Sequence, residues 1–195
     1  MIILGITGGI GSGKSTISSF LESAGIPVYI ADDMAKQLTN TSPEIKKQLI
    51  SHFGDDLFEN NILNKNRLAS IIFNNAENLK IANSIIHPVV LKDFKEWTKQ
   101  HSQCKLLAQE TAILFESGFN KTVDFTITVT APQEIRINRV MNRSKLTREE
   151  ILNRMASQLP EEEKCKKSDF VVYNDNKRAI IPQIENIIQQ IFSKE

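Results

Sequence analysis

The chain has 195 residues, of which 41% are hydrophobic and 24% are charged, a composition typical of a globular chain large enough to bury an apolar core. Lys and Arg number 24 against 23 Asp and Glu, so the formal net charge is only +1. A chain without a broad positive field is poorly suited to holding a nucleic-acid backbone, and we predict no nucleic-acid partner.

The cysteines and the N-terminal segment bear on the compartment. Cys104 and Cys165 fit no metal-binding spacing, and we expect free thiols in a reducing environment. The apolar run at residues 1–6 lacks a preceding basic segment, and no stretch approaches the roughly 20 apolar residues of a membrane span. We therefore expect a cytoplasmic protein with no membrane partner, present as a monomer or a weak homo-oligomer.

The first thirty residues predict a β-loop-α-β unit. An apolar, β-rich run at residues 2–6 is followed by a glycine-rich turn and then by apolar residues at helical spacing, which Gly25 ends. A second short strand is predicted at residues 27–30. Two strands joined through a helix indicate a parallel sheet.

Residues 32–104 predict a helical insertion, because strand patterns are absent from residues 32–100. Ser42-Pro43 has the form of a helix start, and residues 79–97 predict a long helix with Pro88 near its middle. Turns are predicted at Asn60-Asn61 and at residues 64–66.

The remainder alternates strands and helices. Strands are predicted at residues 106–109, 124–129 and 170–173. Pro132 opens an arginine-rich helix, Thr147 and Glu150 have the spacing of a capping box, and the C-terminal helix carries one isoleucine-rich face that we assign to the core. The pair of polar helices predicts a lid at residues 139–160.

Together these elements predict an α/β fold with about five parallel strands and helices on both faces. The predicted core comprises residues 1–31 and 105–195, interrupted by the helical insertion at 32–104. Ligands of such sheets bind beyond the carboxyl ends of the strands, which is where the motifs occur.

Residues 8–15, Gly-Gly-Ile-Gly-Ser-Gly-Lys-Ser, match the phosphate-binding P-loop pattern between a predicted strand and a predicted helix. The loop backbone, at Gly9, Gly11, Ser12 and Gly13, is expected to turn its N–H groups onto ATP phosphates. Lys14 is expected to contact the β- and γ-phosphates and to offset the charge that develops during transfer, Ser15 to bind Mg²⁺, and Thr16 to face the α-phosphate.

Other P-loop classes fit poorly. No guanine-reading Asn-Lys-x-Asp or Asp-x-x-Gly element is present, and a helicase or motor would require a longer chain with a basic track. A small kinase fits, and it requires a carboxylate to prepare the acceptor hydroxyl. Asp32 and Asp33 follow the second strand, where they could serve as that base or cap a helix beginning near Met34.

The chain resembles the dephospho-CoA kinase family nearly from end to end. The resemblance is carried by residues 7–16, Gly25-Ile26, Ala31-Asp32, Ala35-Lys36, His87-Pro88, residues 113–116, Arg139, Arg143, residues 146–149, Arg154, Gln158 and Asn174. It implies phosphorylation of the ribose 3′-hydroxyl of dephospho-CoA by ATP. A kinase of another small hydroxyl or nucleotide acceptor, and a non-catalytic nucleotide-binding regulator, are the alternatives.

The resemblance also implies site residues. Asp32 matches the family's catalytic base, whereas Ile30 replaces the Asp that usually precedes it, so Asp33 could share the role. Ala112 replaces a common Pro. The remaining residues so implied are Thr7, His87, Leu114 and Glu116 for the acceptor, Arg139 for catalysis, and Arg143 and Asn174 for the nucleotide.

Several of these residues permit a structural interpretation as well. His87 could be a histidine in a kinked helix, Asn174 a turn former, and Glu110 a solvated carboxylate instead of a metal-holding acid. Arg139 and Arg143 lie four residues apart, on one helix face suited to phosphate oxygens. Arg136, Arg148 and residues 161–164 are interpreted as solvated surface, and Asn176 as a residue tolerant of left-handed backbone.

Overall fold

The computed structural model describes residues 1–59, 62–72 and 75–193. The helices and strands, in chain order, are β1 (Ile2–Thr7), α1 (Lys14–Ser23), β2 (Val28–Ile30), α2 (Ala31–Thr41), α3 (Pro43–Phe53), β3 (Phe58–Glu59), β4 (Ile62–Leu63), α4 (Lys65–Ile72), α5 (Ala76–Gln100), β5 (Leu106–Glu110), β6 (Phe125–Thr130), α6 (Gln133–Arg143), α7 (Arg148–Ala156), α8 (Glu161–Lys167), β7 (Phe170–Tyr173) and α9 (Ile180–Phe192). Short 3₁₀ turns occur at Asp55–Leu57 and Phe119–Thr122.

The chain forms two compact units, residues 1–30 with 101–195 and residues 31–100. The second unit begins one residue before the predicted insertion and ends four residues before its predicted end. None of the helices formed by the described residues has the length and apolar character needed to cross a membrane.

The first unit is built on a five-stranded sheet with the order β2-β5-β1-β6-β7. Every neighbouring pair of strands in it is parallel, with β1 central between β5 and β6. The predicted α/β fold with five parallel strands and helices on both faces is therefore confirmed. The carboxyl ends of all five strands lie at one edge, which is the edge that receives the P-loop.

The two faces of this sheet differ in what covers them. Alternate residues of β1, Ile2, Leu4 and Ile6, join apolar residues of α1 and α9 in one buried cluster. The predicted core face of α9 is confirmed, because Ile184, Ile187 and Ile191 are buried. On the opposite face, the side chain of Leu114 packs against Gly5 of β1, and α8 packs on β6.

The second unit is mainly helical. Ser42 caps α3, where its Oγ accepts a hydrogen bond from the N–H of Ile45 at 3.4 Å, and Pro43 occupies the first helical position, as predicted. The helix α5 continues through Pro88 for 25 residues. A core that includes Ile45, Leu49 and Ile85 joins these helices.

The second unit also contains a short two-stranded sheet. The prediction of no strands was wrong, because β3 and β4 pair in antiparallel fashion, with Phe58 opposite Leu63. Strands of two residues are too short to produce an alternating pattern. The predicted turn at Asn60-Asn61 lies outside the described residues.

Candidate active site

The P-loop connects β1 to α1 at the centre of the sheet. Gly11 and Gly13 have φ values of 79° and 99°, in the left-handed region that L side chains rarely adopt. A Cβ on Gly11 would lie 2.5 Å from the carbonyl oxygen of Arg136, and one on Gly13 would collide with the amide of Asn174. The loop therefore requires glycine for both its backbone shape and its close contacts.

The start of α1 supplies the groups expected to meet phosphate. Lys14 is the first residue of α1, and its Nζ donates a 3.0 Å hydrogen bond to the carbonyl of Gly8 across the loop. Ser15 and Thr16 are exposed in the first turn, which contains no acidic residue. The N–H groups of a first helical turn and the positive end of the helix dipole favour an anion here.

Glu110 ends β5 and faces α1. It is only 8% exposed, and its Oε2 accepts a 2.5 Å hydrogen bond from Ser18 Oγ, one helical turn after Lys14. The interpretation of Glu110 as a solvated carboxylate is therefore wrong. Among the described residues, no cluster of three or more His, Cys, Asp or Glu side chains could hold a metal alone.

Arg139 of α6 links the P-loop to the loop after β7. Its Nη2 donates to the backbone carbonyl and to Oδ1 of Asn174, both at 3.0 Å, and to Oδ1 of Asn176 at 2.6 Å. The Nδ2 of Asn174 in turn donates to the carbonyl of Ser12 at 2.8 Å. Asn176 has a φ of 64°, which confirms its predicted left-handed backbone.

The predicted lid comprises the end of α6 together with α7. Ile137 and Val140 of α6 and Ile151 of α7 form a small buried cluster. The capping box at Thr147 and Glu150 is confirmed, with both reciprocal hydrogen bonds present. Arg143 lies exposed in the last turn of α6.

Of the two arginines assigned to the surface, one prediction holds and the other fails. Arg148 is exposed, as expected, and it pairs with Glu134. Arg136 is 9% exposed, and its guanidinium forms an ion pair with Glu161 behind the P-loop. A charge so far from water requires a partner, and Glu161 provides it.

The acidic segment at residues 161–164 is solvated only in part, because Glu162 is exposed whereas its first and last residues are not. Glu161 side-chain exposure is only 13%, and Lys164 is fully buried. The ammonium of Lys164 donates to the carbonyl of Ala112 and lies 2.8 Å from Glu116 Oε1. That same Glu116 oxygen accepts the N–H of Leu159 at 2.8 Å.

Two residues of the first unit that the resemblance assigns to the acceptor are buried. Leu114 is 0% exposed and contacts Gly5, so it belongs to the core and supports β1 from inside the protein. Thr7, the last residue of β1, is also fully buried, and its Oγ1 has no hydrogen-bond partner within the part of the chain that the structure describes. Because this hydroxyl is buried, Thr7 contributes to the packing at the carboxyl end of the central strand.

The remaining predicted residues belong to the second unit. Asp32 and Asp33 lie in the first turn of α2, which begins at Ala31, so neither caps a helix that begins near Met34. Asp33 is exposed and pairs with Lys36 at 2.6 Å, whereas Asp32 is half-buried. In α5, burial lowers the pKa of His87 below its usual value.

The sequence assigned no role to Ser18, and Gln158 entered only as part of the family resemblance, although Ser18 contacts Glu110 and Gln158 contacts the P-loop. Ser18 holds Glu110, and the Oε1 of Gln158 accepts the N–H of Ile10 in the P-loop at 3.1 Å. The position of Ser18 one helical turn after Lys14 gave no sign of this partner, because Glu110 lies 92 residues away in the chain. The contact between Gln158 and Ile10 spans 148 residues and has no local pattern.

A central parallel strand that leads through a glycine-rich phosphate loop into a helix, with a lysine at its first position, defines a P-loop nucleotide-binding protein. The family model described as dephospho-CoA kinase matches residues 2–179. A dephospho-CoA kinase of Porphyromonas gingivalis is 45% identical over 197 residues, covering 100% of this chain and 96% of that protein. The chain belongs to the dephospho-CoA kinase family.

Two further matches agree. A dephospho-CoA kinase of Bacteroides fragilis is 42% identical over 194 residues, covering 99% of this chain and 94% of that protein. The solved structure of the dephospho-CoA kinase from Campylobacter jejuni has a TM-score of 0.69 and 30% identity, covering 97% of this chain and 96% of that chain. Sequence and fold therefore identify the same family over almost the whole chain.

Proposed function

We propose that this protein transfers the γ-phosphoryl group of ATP to the ribose 3′-hydroxyl of dephospho-CoA, which yields coenzyme A and ADP. The observation that carries the proposal is the family match over residues 2–179, which includes the complete P-loop. ATP is the co-substrate of this kinase family, and the P-loop is the corresponding site.

We assign the nucleotide to the first unit. The loop N–H groups and Lys14 would hold the phosphates, while Arg139 and Asn174, joined by hydrogen bonds, would border the nucleotide. Mg²⁺, if bound here, would supply positive charge that offsets the charge developing during transfer. Such an ion needs only one or two protein ligands, and the Ser15 hydroxyl, with Glu110 acting through water, fits that requirement.

The acceptor hydroxyl requires a base, and we assign this role to Asp32. Parallel strands end at one edge of the sheet, and Asp32 follows the end of β2 by two residues. Its carboxylate would accept the 3′-hydroxyl proton as the oxygen bonds to the γ-phosphorus and the bond to the departing ADP oxygen breaks. Excess negative charge on the transferring group would be offset by Lys14 and by Arg139 from the lid segment, residues 139–160.

We assign the acceptor to the second unit, with His87 as a hydrogen-bonding group. Burial favours the neutral imidazole of His87, which has both a donor and an acceptor nitrogen. In the first unit, Thr7 and Leu114 are fully buried and Glu116 pairs with Lys164, so these three residues would act indirectly, by shaping the end of β1 and the loop after β5.

The reaction is tested by measuring ADP release with candidate acceptors. We expect release to require dephospho-CoA and the product to carry its new phosphate on the 3′-oxygen, as determined by phosphorus NMR. Release with adenosine, AMP or a sugar acid instead would assign the chain to another acceptor. Nucleotide binding without acceptor-dependent release would indicate a regulator.

The base is tested with a matched pair of variants. Asp32→Asn should lower kcat by roughly 10²-fold or more while ATP affinity stays nearly unchanged. Asp33→Asn is the control, because that side chain is exposed and paired with Lys36. The opposite pattern, in which only Asp33→Asn lowers kcat, would assign the base to Asp33.

A further inference from the structure

The segment that connects α7 to α8 and enters α8, residues 158–164, is held to the rest of the first unit by four separate residues. We refer to residues 158–164 as the strap. Gln158 contacts the P-loop, Leu159 contacts the loop after β5, Glu161 contacts the start of the segment after β6, and Lys164 contacts the loop after β5 again. Connections between helices are usually mobile surface, so this number of anchors indicates a specific role.

The anchor at the P-loop is a single hydrogen bond. The Oε1 of Gln158 accepts the N–H of Ile10 at 3.1 Å. Ile10 lies between Gly9 and Gly11, and Gly11 has a φ of 79°, so the backbone on either side has few intrinsic restraints. A bond to the Ile10 N–H therefore fixes the orientation of the Gly9–Ile10 peptide.

The other anchors hold the strap itself in place. Glu161 accepts the N–H of Ala131 at 3.3 Å and pairs with Arg136, whose guanidinium packs directly against Gly9. At the far end, Lys164 is fully buried beside Glu116. The strap therefore contacts the P-loop in two ways. Gln158 binds Ile10 directly, and Glu161 holds Arg136 against Gly9.

We infer that Gln158 is a positioning residue for the phosphates of ATP, acting through Ile10. The inference rests on the proposed nucleotide site. A loop of glycines that must be ordered on binding pays conformational entropy, and a loop held in advance binds its ligand more tightly. Gln158 also lies two residues beyond the end of α7, so movement of the lid would be transmitted to the P-loop at this point.

The test uses Gln158→Met, which keeps the length of the side chain and removes the acceptor. We expect the amide of Ile10 to lose hydrogen-exchange protection and ATP to bind about 3- to 10-fold more weakly, the effect of one hydrogen bond. The KM for dephospho-CoA should change less than about 2-fold. Gln158→Glu, which keeps an acceptor oxygen, should retain protection of Ile10.

The control is Gln133→Met, because Gln133 lines the same cavity of about 930 Å³ as Gln158. It should change neither ATP affinity nor Ile10 exchange. Unchanged Ile10 exchange in Gln158→Met would overturn the contact, and weakened exchange protection with unchanged ATP affinity would overturn the positioning role. Both readouts are independent of the acceptor, so failure of dephospho-CoA as a substrate would leave them interpretable.

Discussion

The ion pair between Lys164 and Glu116 provides a direct test of what Glu116 does. The Lys164 side chain is 0% exposed and that of Glu116 is 25% exposed, with 2.8 Å between Nζ and Oε1. Replacing Glu116 by Gln keeps both hydrogen bonds possible but leaves a fully buried ammonium without a counter-charge. Removing one member of a buried pair typically costs about 3–5 kcal/mol, and we expect Glu116→Gln to fall in this range.

The converse substitution, Lys164→Met, should cost less. The remaining Glu116 carboxylate is partly solvated and still accepts the N–H of Leu159 at 2.8 Å, so we expect a loss of about 2 kcal/mol. The double variant contains no buried charge at this position. It should be more stable than Glu116→Gln alone, which requires the coupling energy between the two substitutions to exceed the roughly 2 kcal/mol that Lys164→Met costs by itself.

Urea unfolding measures these effects. Far-UV circular dichroism reports the whole chain, and the fluorescence of Trp97, the only tryptophan, reports α5 in the second unit. We expect Glu116→Gln to shift the dichroism transition more than the fluorescence transition. Additive losses in the double variant would refute the reasoning. An increased KM for dephospho-CoA with unchanged stability would instead show that Glu116 binds the acceptor.

Two further changes address the P-loop and His87. Gly13→Ala should weaken ATP binding by at least about tenfold in calorimetry, because φ is 99° and the Cβ meets Asn174. Gly25→Ala, with a φ of 78° but open space around it, is the control and should lower stability without changing ATP affinity. Burial lowers the pKa of His87, so its effect on stability should be absent above about pH 6.5 and should become destabilising as the pH falls. His87→Gln should flatten this pH dependence in urea titrations between about pH 7.5 and 5.5, and an unchanged slope would contradict it.

The parts that were predictable from sequence are those with local patterns. The P-loop motif requires a glycine directly before Lys14, and the structure gives this residue, Gly13, left-handed backbone with a φ of 99°. The strap was not predictable, because the sequence Glu-Glu-Glu-Lys at residues 161–164 has the charge of a solvated helix face. Its burial depends on Arg136 and Glu116, which lie far away in the chain and leave no periodic signal near the strap.

The position of the second unit was predictable, because strand patterns disappear from the sequence there and helical patterns replace them. Helices of more than ten residues produce a clear periodicity. The role of Ser18 was missed for a different reason. A serine inside an amphipathic helix carries no sequence signal of a functional contact. The carboxylate of Glu110 reaches Ser18 only because β1 and β5 pair, with Ile6 opposite Glu110.

The order of the sheet has a consequence for synthesis on the ribosome. β1 and β2 are not neighbours, because β5 lies between them, so neither strand can complete its ladder until residues 106–110 have been translated. During that interval residues 31–100, whose contacts are largely internal, are able to fold first. The apolar β1 remains unpaired for about a hundred residues of elongation, and this segment is the one that we expect chaperones to protect in the nascent chain.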